Sequence, residues 1–91
     1  MTAPEPDYAS YPATELYDVF FEAGTLLGGL LNALQDAAEQ AHDSEQAQAW
    51  QAERRHMRDE REAVGVDDRE AQIAAIRRWR ARYEELAARR A

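Results

Sequence analysis

One stretch of this chain is both long and strongly apolar, Thr14 to Ala41, and it dictates what the rest can fold into. Leu16, Phe20, Ala23, Leu27, Leu30, Leu34, Ala37 and Ala41 follow one another at alternating steps of four and three. That heptad spacing keeps one face of a helix turned toward a neighbour. Val19, Leu26 and Leu31 widen the stripe on both sides. At about 100° per residue the apolar arc covers roughly half the circumference, more than the seam of a two-stranded coil requires. Asp18, Glu22, Thr25, Asn32 and Asp36 fall on the other side. The spacing predicts an amphipathic helix about 40 Å long at about 1.5 Å per residue.

Gly24, Gly28 and Gly29 interrupt it, each at a cost of up to about 1 kcal/mol against alanine. Gly24 and Gly28 are four apart at the edge of the arc, where they let a second helix backbone or an aromatic ring come close. Membrane helices use the same spacing, but the uncharged run Ala23–Gln35 has 13 residues, and about 20 are needed to span a bilayer. A water-facing protein with a packed seam is the expectation.

The charge is unevenly placed. The formal net charge is −7, yet residues 1–53 hold ten acids and no arginine, while residues 54–91 hold eleven arginines and eight acids, a net of +3. The two halves, or two copies head to tail, are therefore expected to attract one another. No cysteine is present, which excludes disulfides, thiolate metal sites and a cysteine nucleophile. The opening MTAPEPDYASYPA has prolines and acids but no basic n-region, so it is not read as a signal peptide and a cytoplasmic location is expected. Lysine is absent and alanine abundant, a composition like that of GC-rich bacterial or phage genomes.

Taken in order, residues 1–13 read as a disordered arm, with Tyr8 and Tyr11 able to dock on a surface. The first helix is expected over about 14–41, capped by Thr14. Its seam continues onto Ser44, Gln48, Gln51 and Arg55, all polar, and a different stripe replaces it: Ala47, Trp50, Met57 and Val64. The phase slips at His42-Asp43-Ser44, where Asp43 and Gln46 resemble a capping box. No glycine or proline enforces a break there, so one continuous helix through Val64 stays open. The second helix, about 44–64, has Arg54 and Arg61 where a core helix would carry leucine. Val64-Gly65-Val66-Asp67 is the clearest punctuation: Gly65 suits a left-handed C-terminal cap, Asp67 and Glu70 suit a capping box, and Val66 a staple. The third helix, about 68–89, carries Ile73, Ile76, Trp79, Tyr83 and Leu86 on one face, with arginines around it.

Little of this supports catalysis. Glu39/His42 and Glu53/His56 have the Glu-x-x-His spacing of carboxylate-bridged di-iron bundles, but neither pair lies on an apolar stripe. Ser10 and Ser44, the only serines, sit at helix starts, where capping explains them. Gly28-Gly29 lies inside a helix whose amides are already spent. Glu84 and Glu85 lie among arginines, as surface ion pairs do. No enzyme activity, cofactor or metal is expected.

The sequence therefore reads as all-α, a bundle of three helices per chain with an αα-hairpin at Gly65, completed by dimerisation. The expected function is that of a non-catalytic protein–protein interaction protein: an adaptor, assembly factor or regulator. The expected homodimer contact is the first helix through Leu16, Phe20, Ala23, Gly24, Leu27, Gly28, Leu30, Leu31 and Leu34. The alternative is a nucleic-acid-associated regulator that uses Arg78, Trp79, Arg82 and Arg89. There arginines meet phosphates and an exposed ring stacks on bases.

Overall fold

Three helices account for the fold: α1 (Ala13–Gln40), α2 (Ser44–Ala63) and α3 (Arg69–Arg90), preceded by a 3-10 turn at Tyr8–Ser10. The structure, a computed structural model, describes residues 4–90, and no strand occurs among them. Each helix end lies within one residue of its sequence-based position. Gly28 faces Met57, Gly24 faces both Arg61 and Trp79, and Arg54 reaches Gln35. Hence α2 runs antiparallel to α1. Glu60 meets Trp79 and Glu53 meets Arg82, so α3 runs antiparallel to α2 and parallel to α1. Both α2 and α3 pack on α1 and scarcely approach each other's backbone. The result is a slab of 46 × 33 × 14 Å with α1 at its centre.

The core follows from the pitch of a straight helix. Leu16, Phe20, Ala23, Leu27, Leu30, Leu31 and Ala38 are buried, whereas Leu34 is half-buried and Ala37 and Ala41 are exposed. A seam of period 3.5 predicts Ala37 and Ala41. A straight helix of period 3.6 drifts about 20° per heptad against that repeat, and three heptads of drift carry Ala38 inward in place of Ala37. On the other helices Ala47, Trp50, Met57, Ala75, Ile76, Trp79 and Leu86 complete the core. Tyr83, expected in the stripe of α3, is exposed.

The break after α1 is real. His42 has φ of 59°, the left-handed conformation. Its amide donates to Glu39 O and that of Asp43 to Ala38 O, the hydrogen-bond pair of a Schellman motif. Asp43 then caps α2, its carboxylate accepting from Gln46 N at 3.1 Å.

The second turn differs from expectation in three ways. Gly65 does not have positive φ; Val64 leaves α2 extended instead. The cap is Asp68 and not Asp67, since Asp68 Oδ1 accepts from Ala71 N at 3.1 Å. Val66 does not staple and is 66% exposed. What closes the turn is Gln72, only 1% exposed, whose Nε2 donates to Gly65 O and Val66 O at 3.0 Å each.

The segment before α1, expected to be a loose arm, is docked where it is described. Tyr8 is buried and packs edge-on against Tyr11, ring centroids 5.7 Å apart. Arg69 Nη2 donates to the carbonyls of Tyr8, Ala9 and Tyr11 at 3.3, 3.0 and 2.8 Å. Arg77 binds Glu5 at 2.9 Å. The first three residues of that arm lie outside the described residues. The chain enters α1 through Pro12, whose carbonyl accepts from Leu16 N at 2.9 Å; Thr14 lies inside the helix and does not cap it.

Candidate interaction surfaces

The residues expected to join two copies are engaged within one chain. Leu16, Phe20, Ala23, Gly24, Leu27, Leu30 and Leu31 are buried, and Gly28 and Leu34 half-buried. Phe20 packs on Trp79 with ring centroids 5.2 Å apart. The close approach expected at the glycines exists, and the approaching groups belong to α2 and α3. A Cβ at Gly24 would come within 3.2 Å of Arg61 Cδ and Trp79 Cζ3, and one at Gly28 within 3.0 Å of Met57 Cε. A Cβ at Gly29 would meet nothing within 4 Å.

What α1 leaves uncovered lies on another flank. Leu26 is 51% exposed and Phe21 46%. Leu26, Gly29, Ala33 and Ala37 follow at steps of three and four on one edge, beside the rim of Leu30, and all but Ala37 fall in the uncharged run. Phe21 lies on a different edge, with the Arg61 guanidinium 4.3 Å from its ring centroid. Among the described residues no helix is long and apolar enough to cross a membrane.

The four residues considered for nucleic acid do not form one free cationic face. Trp79 is buried and its Nε1 donates to Glu60 Oε1 at 3.0 Å. Arg78 binds Glu60 Oε2 at 2.8 Å. Arg82 grips Glu53 with two hydrogen bonds of 2.8 Å and reaches Glu85 at 2.9 Å. The hydrogen bonding of Arg82 to the Glu53 carboxylate holds its guanidinium above its usual pKa, against the opposing pull of partial burial. Such a two-pronged arginine–carboxylate contact is the strong form of the pair. Arg89 is exposed. The same contact removes Glu53 from His56, while Glu39 accepts from Gln35 at 3.1 Å beside His42. Among the described residues no cluster of three His, Asp or Glu side chains is placed to hold a metal.

Arginines outside the ion pairs occur on α3 too, Arg80 and Arg89 among them, but four gather on α2, where the sequence marked Arg54 and Arg61 only as replacing leucine. A groove of about 410 Å3 runs between α1 and α2, with Arg54, Arg55, Arg58 and Arg61 along one wall and no carboxylate in its lining. Among the described residues none of these four is within ion-pair distance of an acid; every such pair there uses Arg77, Arg78 or Arg82. Arg54 and Arg61 are held by neutral groups instead, Arg54 Nη2 by Gln35 Oε1 at 3.1 Å and Arg61 Nη1 by Thr25 Oγ1 at 3.4 Å. Arg54 Nε is buried with no acceptor. Like charges three and four apart on a helix oppose folding by about 0.2–0.5 kcal/mol per pair, so the cluster lowers stability. The signal was available in the spacing: Arg54, Arg58 and Arg61 fall at i, i+4 and i+7 on one face. No family model, curated protein or solved structure matches the chain.

Proposed function

We propose that the chain is a non-catalytic helical interaction protein, an adaptor, assembly factor or regulator, that self-associates through the flank of α1 its own helices leave open. The observation that supports this reading is Leu26, half exposed at the middle of α1. Around it Gly29 and Ala33 add no bulk and no charge, so a second helix can lie close along this edge. A two-fold axis across α1 makes the patch self-complementary, since each copy offers the same residues to the other. The buried leucines contribute to the monomer core, and Leu26 to the contact between copies. Burying it fully is worth about 1 kcal/mol or more per copy.

Sedimentation equilibrium over a wide concentration range tests the proposal. The wild type is expected to sediment as a dimer that dissociates on dilution. Leu26→Asp is expected to give a monomer with unchanged helical circular dichroism, because that side chain is not needed inside the chain. Leu30→Asp, which puts a charge into the core, is expected to lose helicity. A wild type that stays monomeric at every concentration would overturn self-association, and the open flank would then serve a different polypeptide.

A further inference from the structure

The α2 groove has a composition that neither the core nor the open flank of α1 requires. Arg54, Arg58 and Arg61 project along seven residues of helix, about 10 Å at about 1.5 Å per residue. Arg55 adds a fourth guanidinium to the same lining. Arg61 is fixed over the Phe21 ring and Arg54 against Gln35, so two of the four are held in place by groups that leave their charge uncompensated. Thr25, Asn32 and Gln51 line the groove with neutral hydrogen-bonding groups. Gly24 and Gly28 line the α1 side of the groove without side chains of their own, with Met57 and Arg61 packed against them. Its volume of about 410 Å3 suits a small molecule. Asp59, four residues beyond Arg55, and Glu62, four beyond Arg58, are the acids next to the row on α2, and neither makes an ion pair with any of the four.

We propose that this groove binds a small anion with two or more phosphoryl groups in series. Guanidinium forks match phosphate oxygens in pairs. A single phosphate touches two of these arginines at most, whereas a chain of phosphoryl groups runs along the row. Carboxylate ligands of the same size carry less charge per length and leave part of the row unmatched. The phosphoryl chain comes from either an inorganic oligophosphate or a nucleotide. The nucleotide differs by a base, and Phe21 with Tyr17 lies at the end of the groove marked by Arg61 and Thr25. The groove lies between α1 and α2, and all four of its arginines belong to α2.

The test is calorimetric titration of the full chain with inorganic tripolyphosphate, alongside amide and arginine Nε spectra. Saturable binding is expected, with shifts concentrated at Thr25, Gly28, Asn32, Arg54, Arg58 and Arg61. Arg58→Ala is expected to lower affinity about tenfold or more, and because Arg58 is exposed the fold is retained. Arg89→Ala, an exposed arginine on α3, is expected to change nothing. Adenosine triphosphate binding more tightly than tripolyphosphate, with added shifts at Phe21, identifies the nucleotide as the source. Equal affinities identify the phosphates alone, and both results support the site. No saturation with tripolyphosphate overturns it, as does equal loss in Arg58→Ala and Arg89→Ala. A single-stranded oligonucleotide that binds where tripolyphosphate does not also overturns it, in favour of a polymeric partner.

Discussion

Gly28 and Gly29 are neighbours in sequence with opposite surroundings. Met57 Cε lies 3.0 Å from where a Gly28 Cβ would be, while Gly29 looks into open space. Gly28→Leu therefore forces atoms into a filled contact, and overpacking of this kind costs about 1–3 kcal/mol. Gly29→Leu has no clash to relieve and gains helix propensity of up to about 1 kcal/mol. Urea denaturation at low protein concentration should show the first variant unfolding earlier and the second no earlier than wild type. Equal losses would mean that Met57 does not pack where it is placed. The sequence indicated that glycines four apart admit a neighbour, but spacing alone does not say whose side chain arrives. Gln72 was illegible for a related reason. A polar residue on a helix carries no mark of burial, and its role depends on two carbonyls, of Gly65 and Val66, brought to it by the turn. Gln72→Ala leaves the Val66 carbonyl without its donor and Gly65 O with Asp68 N alone, and about 1–3 kcal/mol of stability should go with it, read as a lower thermal midpoint.

At the scale of the helices, the existence and length of all three were legible because each carries an apolar stripe of helical period. The seam of α1 was placed correctly over Leu16 to Leu31 and lost its phase toward Ala37, where a drift of about 20° per heptad has accumulated over several turns. Turns were legible only where a side chain does the capping. Asp43 was found because its carboxylate accepts from Gln46. The left-handed residue of that turn was missed because it is His42 and not a glycine. A non-glycine residue held there carries roughly 1–2 kcal/mol of strain, part of which glycine returns through its freer unfolded chain. His42→Gly should accordingly stabilise the protein by up to about 1 kcal/mol, measured as a higher denaturation midpoint. The docked N-terminal segment was illegible because it hangs on Arg69, one cation among eleven. Arg69→Ala removes three carbonyl contacts at once. Limited proteolysis should then cut before Ala13 faster than in wild type, with α1 to α3 still protected.

For the molecule as a whole, shape and charge point the same way. The radius of gyration is 14.5 Å, against about 12 Å expected for a compact chain of this length. A slab leaves more of its central helix exposed than a triangular bundle does, and Leu26 is the result. The opposed charges of the two halves, visible in the sequence, are partly spent inside one chain, where Glu5 meets Arg77 and Glu53 meets Arg82. Attraction between copies therefore cannot rest on these groups, and the apolar flank of α1 is what remains for it. The core was legible from periodicity, but its partner was not: a stripe broad enough for two neighbours reads the same whether they come from one chain or two. Heat distinguishes the cases. If two copies share the flank, unfolding also dissociates them, and a tenfold rise in protein concentration adds about 1.4 kcal/mol of stability per dimer. At the entropy of unfolding of chains this size, the melting temperature should climb by several degrees. Leu26→Asp should melt at one temperature whatever the concentration, because its unfolding involves a single chain. A wild type with the same flat response would show that α1 has no second copy to meet.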